Sequence, residues 1–212
     1  MIIAHRGYSE RHKDNSIDSF KAAISCGFDM IELDLNICKT GELVIYHDFM
    51  INNQSVNSYT LHELESLGVV SLDKYFKLTN NSIRSYLDIK GDIQVTHNLI
   101  KYLSSNKNID LNLLYIGSFD NHQLNLLVKS NLPVKYGLIT ANKYTYLDME
   151  YYFDKVNFMS FCWEYYDNKI YDILHEQNIS VYLYTCTNKT EEEYITGNFK
   201  YDGIVSNIFI KN

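Results

Sequence analysis

Eight ionisable side chains fall in four short stretches, each within or just after an apolar run: His5 and Arg6 after IIA, Glu32 and Asp34 in MIELDL, His47 and Asp48 after ELVIY, and Asp88 and Lys90 in SYLDIK. Residues two apart on a strand point to one face, so Glu32 projects with Asp34 and Asp88 with Lys90. A carboxylate in an apolar strand is costly unless it is paired or holds a metal. Glu32, Asp34 and Asp88 form a hard oxygen set suited to one divalent cation, Mg²⁺ or Ca²⁺. His5 and His47 titrate where an acid and a base are needed near neutrality. Arg6 and Lys90 are cations suited to phosphate oxygens. Taken singly, a strand-end histidine or one E-x-D pair is more often structural. Together, cations, a metal set and paired histidines describe phosphoryl transfer better than any other common reaction.

These residues must be carried by elements that converge. Strand-like runs occur at 2–5, 30–35, 42–47, 85–90, 113–117, 134–139, 156–161, 180–185 and 203–206, with amphipathic helices at 16–26, 121–130, 167–177 and 190–199 between most of them. Thr60 with Glu63 and Thr190 with Glu193 have capping-box spacing. Strand–helix alternation over this length implies a parallel sheet, either open and doubly wound or closed. Nine candidates fit a small (β/α)8 TIM barrel of eight strands in which 30–35 and 42–47 are joined without a helix. The carboxyl ends of barrel strands meet at one mouth, where sites of such enzymes lie. The chain stops just after the last strand, so the final helix is expected to be short or missing. With no repeat or linker, residues 1–212 are expected to form one domain.

Composition narrows the class. A formal charge of −7 argues against nucleic acid as the main partner. Cys26, Cys38, Cys162 and Cys186 have no metal-ligand spacing and are expected to be free buried thiols. No apolar run approaches the roughly 20 residues of a membrane span. The chain opens directly on a strand, so no signal peptide and a cytoplasmic location are expected. His12, His62, His97, His122 and His175 lack partner spacing and are expected at the surface. The acidic run Glu191, Glu192 and Glu193 reads as a solvated first helical turn.

At these residues the sequence resembles the glycerophosphodiester phosphodiesterase family of metal-dependent TIM barrels. The family's H-R-G opening is His5, Arg6 and Gly7. Its G-A-D-x-I-E-x-D-V and T-K-D-G-x-L-V-V-x-H-D signatures read here as GFDMIELDL and CKTGELVIYHD. T-L-x-E-L is TLHEL, E-x-K is Asp88-Ile89-Lys90, V-Y-x-W-T is VYLYT, and D-G-I-I-T-D is DGIVSN. The resemblance implies that His5 and His47 are the catalytic pair, that Glu32, Asp34 and Asp88 bind the metal, and that Arg6 and Lys90 contact phosphate. It implies hydrolysis of a glycerophosphodiester, a small-molecule substrate, to sn-glycerol 3-phosphate and an alcohol. Oligomeric state stays open.

The departures are specific. The family's P-E-N-T is KDNS, which keeps Asn15 but puts Asp14 for Glu. Asp88 is one methylene shorter than the usual Glu, Tyr184 stands for Trp, and Asn207 for the terminal Asp. The insertion that usually follows the H-D pair is reduced, so the mouth should be open. That openness leaves room for a lysophospholipase D-like, lipid-directed activity, while the substitutions leave room for a catalytically silent phosphodiester-binding barrel. Gly7 is expected to turn the chain away beside the phosphate, where a side chain would crowd it.

Overall fold

The strand–helix alternation closes on itself. The computed structural model describes residues 1–210. Its parallel strands are β1 (Ile2–Ala4), β2 (Met30–Ile37), β3 (Arg84–Ile89), β4 (Leu114–Ser118), β5 (Lys135–Thr140), β6 (Phe158–Cys162), β7 (Ser180–Cys186) and β8 (Gly203–Ser206). Each pairs with its neighbour in sequence, and β1 pairs with both β2 and β8, which completes an eight-stranded barrel. The helices are α1 (Ile17–Cys26), α2 (Leu61–Ser66), α3 (Leu72–Thr79), α4 (Ile93–Ser105), α5 (Asn121–Lys129), α6 (Tyr146–Glu150), α7 (Asn168–Glu176) and α8 (Lys189–Asn198). None is long and apolar enough to cross a membrane. Among the described residues no helix follows β8.

Period-two alternation sorts each strand between two cores. One face packs under the helices, with Leu33, Leu87, Leu99, Leu124, Leu174 and Ile195 among its members. The other fills the barrel with Ile3, Met30, Tyr86, Ile139, Phe158, Tyr182 and Val205. These rings need room, and glycine supplies it: a Cβ on Gly137 would lie 2.2 Å from the Phe158 ring. Above that aromatic floor, the next inward positions of β2 are Glu32 and Asp34, so the alternation that builds the core also lifts carboxylates to the mouth.

The ninth strand candidate lies outside the ring. Leu43–Ile45 runs antiparallel to β2, with Leu35 opposite Ile45, and Val70–Ser71 pairs on its far side. His47 therefore does not sit at a parallel strand end. It reaches the mouth because a hairpin folds back over β2, with Tyr46 N–H donating to Asp34 O at 2.9 Å. The helices α3, α4 and α6 were not foreseen, although α4 buries Val95, Leu99 and Leu103 four residues apart. Thr60 and Glu63 form their capping box at α2. Thr190 and Glu193 do not: Asn188 starts α8 earlier by accepting from Glu191 N–H at 3.0 Å, which leaves Thr190 inside the helix. Glu192 is correspondingly buried and paired with Lys189 rather than solvated. All four cysteines are free, but Cys26 is exposed and Cys162 half-buried. The five other histidines are exposed.

Candidate active site

His5, Arg6, Glu32, Asp34, His47, Asp88 and Lys90 all line one pocket of about 160 Å³ at the carboxyl ends of the strands. Asp34 and Asp88 are register partners on adjacent strands, and Glu32 lies one inward position deeper. One oxygen from each of the three falls within 4.8 Å of the others. They are 4%, 1% and 7% exposed for Glu32, Asp34 and Asp88, so water does little to screen their mutual repulsion.

Their partners are unevenly shared. Asp34 is well held: Arg6 Nε lies 3.0 Å and Lys90 Nζ 3.2 Å away, and Asn15 Nδ2 donates to it at 2.8 Å. Burial works against its charge, but Lys90, Arg6 and Asn15 outweigh it and keep its carboxyl below the usual range. Asp88 has Lys90 at 2.6 Å on one oxygen, while its buried Oδ1 has no partner. Burial, only partly offset by Lys90, pushes it up to about 6. Burial, then Asp34 and Asp88, push Glu32 well above its ordinary range, although it accepts the Arg6 backbone N–H at 2.9 Å. Three crowded carboxylates with an orphaned oxygen are a donor set that a divalent cation fits. In their company Lys90 is raised by Asp88 and Asp34 despite its own burial, and it pairs with both carboxylates.

The two histidines are held differently. His5 follows β1 directly, and its Nδ1 lies 2.6 Å from Asn207 Oδ1, which also accepts from Ser9 Oγ at 3.1 Å. An amide oxygen only accepts, so His5 carries its proton on Nδ1 and leaves Nε2 as a lone pair. Burial and the neighbouring Arg6 lower its pKa to about 4. His47 is 42% exposed and paired through Nδ1 with Asp48 at 2.8 Å.

The loop between β1 and α1 places Arg6 in a left-handed conformation, φ 56°, followed by Gly7 at φ 80°. A Cβ on Gly7 would fall 2.3 Å from Ser19 Oγ. The close approach of α1, whose Ser19 hydroxyl donates to Arg6 O at 3.0 Å, thus demands a glycine here. Asp14 meets Arg6 Nη1 at 3.1 Å. Sequence reasoning overlooked the roles of Asn15 and Asn207, which hold Asp34 and His5. The retained Asn of KDNS and the final DGIVSN motif were the available signals. Tyr184, expected from its motif as an aromatic wall, lines the opposite side of the pocket, where Tyr86, Phe119 and Ser160 join it without having been foreseen.

A closed parallel barrel with an acidic cluster and two histidines at its carboxyl mouth defines the class. The chain belongs to the glycerophosphoryl diester phosphodiesterase family, whose model matches residues 5–209. A glycerophosphodiester phosphodiesterase of Caldanaerobacter subterraneus is 39% identical over 72 residues, 32% of this chain and 30% of that protein. The chain spans less than a third of the length of the curated relatives it matches most significantly, at 30%, 29% and 28%. A glycerophosphodiester phosphodiesterase of Thermotoga maritima superposes with a TM-score of 0.80 at 20% identity, covering 97% of this chain and 93% of that one. A phosphodiesterase of Oleispira antarctica, solved with the product sn-glycerol-3-phosphate, gives 0.81 at 16% identity, covering 98% and 92%. At such identities the superpositions establish the fold.

Proposed function

We propose that the chain, as one barrel domain, hydrolyses glycerophosphodiesters to glycerol 3-phosphate and an alcohol with one divalent cation, Mg²⁺ or Ca²⁺. The observation that carries this reading is the convergence of the three carboxylates within 4.8 Å in a pocket that His5 and His47 also line. Glu32, Asp34 and Asp88 would hold the cation, which supplies charge neutralisation at a phosphate oxygen and acidifies a neighbouring hydroxyl. Arg6, fixed against Asp34 and Asp14, adds positive charge beside the phosphate.

His5 is placed as the base. With Nδ1–H committed to Asn207, its Nε2 accepts the proton of the glycerol C2 hydroxyl. The C2 oxygen attacks phosphorus, the bond from phosphorus to the alcohol oxygen breaks, and the cyclic phosphate forms. His47, exposed at the mouth where the leaving alcohol departs, gives that oxygen its proton. It then takes a proton from water. The water oxygen opens the ring, and His5 returns its proton to C2. Glycerol 3-phosphate released from glycerophosphocholine, dependent on Mg²⁺ or Ca²⁺ and lost in His5→Ala, is the expected result. Metal-independent turnover, or full activity in His5→Ala, would overturn the reading.

The exposed Phe49, Met50 and Phe119 favour a second reading, a lipid-directed phosphodiesterase, since no residue from 49–59 covers the pocket. Choline release from lysophosphatidylcholine exceeding that from glycerophosphocholine would select it.

A further inference from the structure

The rim around the mouth carries large apolar side chains that pack on nothing. Phe49, 66% exposed, and Met50 follow the hairpin after β2, and Phe119 directly follows β4. Leu147, 76% exposed, lies in α6 after β5. It shares a surface depression with Asn121 and Asn142, which sit just beyond the carboxyl ends of β4 and β5. After β6, the short helical turn Trp163–Tyr165 ends in an exposed tyrosine. Four separate loops at the carboxyl ends of the strands thus turn an apolar group to solvent. Single exposed apolar residues are ordinary, but several around one opening mark an interaction surface.

The charges on the rim say which surface it fits. Each apolar group has an exposed acidic neighbour in the chain: Asp48 beside Phe49, Asp120 beside Phe119, Asp148 beside Leu147 and Glu164 beside Tyr165. Such a rim is repelled by an anionic surface. It complements a surface that is cationic at its outermost layer and apolar beneath, as a phosphocholine bilayer is, with its ammonium groups outermost. A protein partner seated there would seal the pocket, since Phe119 belongs to both rim and pocket. A bilayer would instead bring amphiphiles to its opening.

We propose that the rim is a docking surface for zwitterionic lipid bilayers, with Phe49, Met50, Leu147 and Tyr165 inserted among the head groups and the neighbouring carboxylates facing the ammonium groups. The proposal goes beyond both hydrolytic readings, because docking needs no turnover.

The test mixes the protein, in EDTA so that no divalent ion bridges it to lipid, with vesicles of phosphatidylcholine alone or with increasing phosphatidylglycerol. The wild type should co-sediment with pure phosphatidylcholine in low and high salt, and less as the anionic lipid increases in low salt. A head-group spin label should quench Trp163, the one tryptophan of the chain, which begins the turn that ends in Tyr165. Phe49→Ser with Met50→Ser, and Leu147→Ser with Tyr165→Ser, should each lower the partition coefficient about tenfold or more. All four changes together should abolish co-sedimentation with an unchanged Tm. No binding to phosphatidylcholine, binding that requires anionic lipid, or binding kept by the fourfold variant would overturn the proposal. Co-sedimentation without quenching of Trp163 would place the contact on another face and overturn it too. Self-association abolished by the same variant, without vesicle binding, would assign the rim to a second copy instead. Turnover of glycerophosphocholine without vesicle binding would remove the docking surface and leave the hydrolytic reading standing.

Discussion

His5 and His47 differ in what holds them, and the proposed mechanism rests its base and acid assignment on that difference. His5 is fixed by a neutral amide, while His47 leans on the Asp48 carboxylate in solvent. Alanine at either position should lower turnover of glycerophosphocholine on the order of 10²–10⁴-fold. A leaving group that needs no proton, such as p-nitrophenolate, should restore most of the rate to His47→Ala and little to His5→Ala. Equal rescue of both would contradict the base and acid assignment. The folded protein keeps His5 neutral down to about pH 4, against 6.5 for the ordinary side chain. Unfolding therefore takes up a proton between those values. The contribution of His5 to stability is complete above pH 6.5 and declines as the pH falls towards 4. Urea unfolding at several pH values should show this slope, reduced in His5→Asn. Asn207→Asp places a negative charge against Nδ1 and should move the acid limb of kcat/KM to higher pH. An unmoved limb would show that Asn207 does not govern His5.

Among elements, the loop from β1 to α1 and the hairpin after β2 bring in what the barrel strands do not. The first depends on Gly7, whose φ of 80° and contact with Ser19 both exclude a side chain. Gly7→Ala should destabilise the protein by about 2–4 kcal/mol. It should also lower activity more than stability alone explains, because Arg6 is displaced with it. Chemical denaturation read beside kcat separates the two effects. The hairpin explains why one site residue was found for an incomplete reason. ELVIYHD shows a strand ending in histidine, but the direction of that strand is set by its pairing to β2 and is invisible in local sequence. The α8 start was misread for a related reason: Thr190 with Glu193 and Asn188 with Glu191 are both plausible caps. The structure selects Asn188, with Glu191 Oε2 also accepting Thr187 N–H at 2.7 Å.

For the molecule as a whole, a cation held by the acidic cluster, as proposed, would relieve the repulsion among its buried carboxylates. Divalent ion at about 100 times its dissociation constant should stabilise the fold by about 2.7 kcal/mol. Thermal unfolding with and without Mg²⁺ or Ca²⁺ should show a rise in Tm for the wild type and none for Asp34→Asn. A rise that persists in the variant would place the ion elsewhere. The barrel and its acidic mouth were legible in the sequence because both follow from period-two alternation: the pattern that puts Met30 inside also puts Glu32 and Asp34 there. Motifs spaced along nearly the whole chain likewise named His5, Arg6, His47, Asp88 and Lys90. Pairings between distant segments were not legible. That Lys90 pairs with carboxylates, that Asn207 holds His5 across 202 positions, and that Ser160 and Tyr184 line the same pocket depend on barrel closure. Residue type and local spacing determine which groups a strand presents, whereas their partners are chosen by a register between strands that no local stretch encodes.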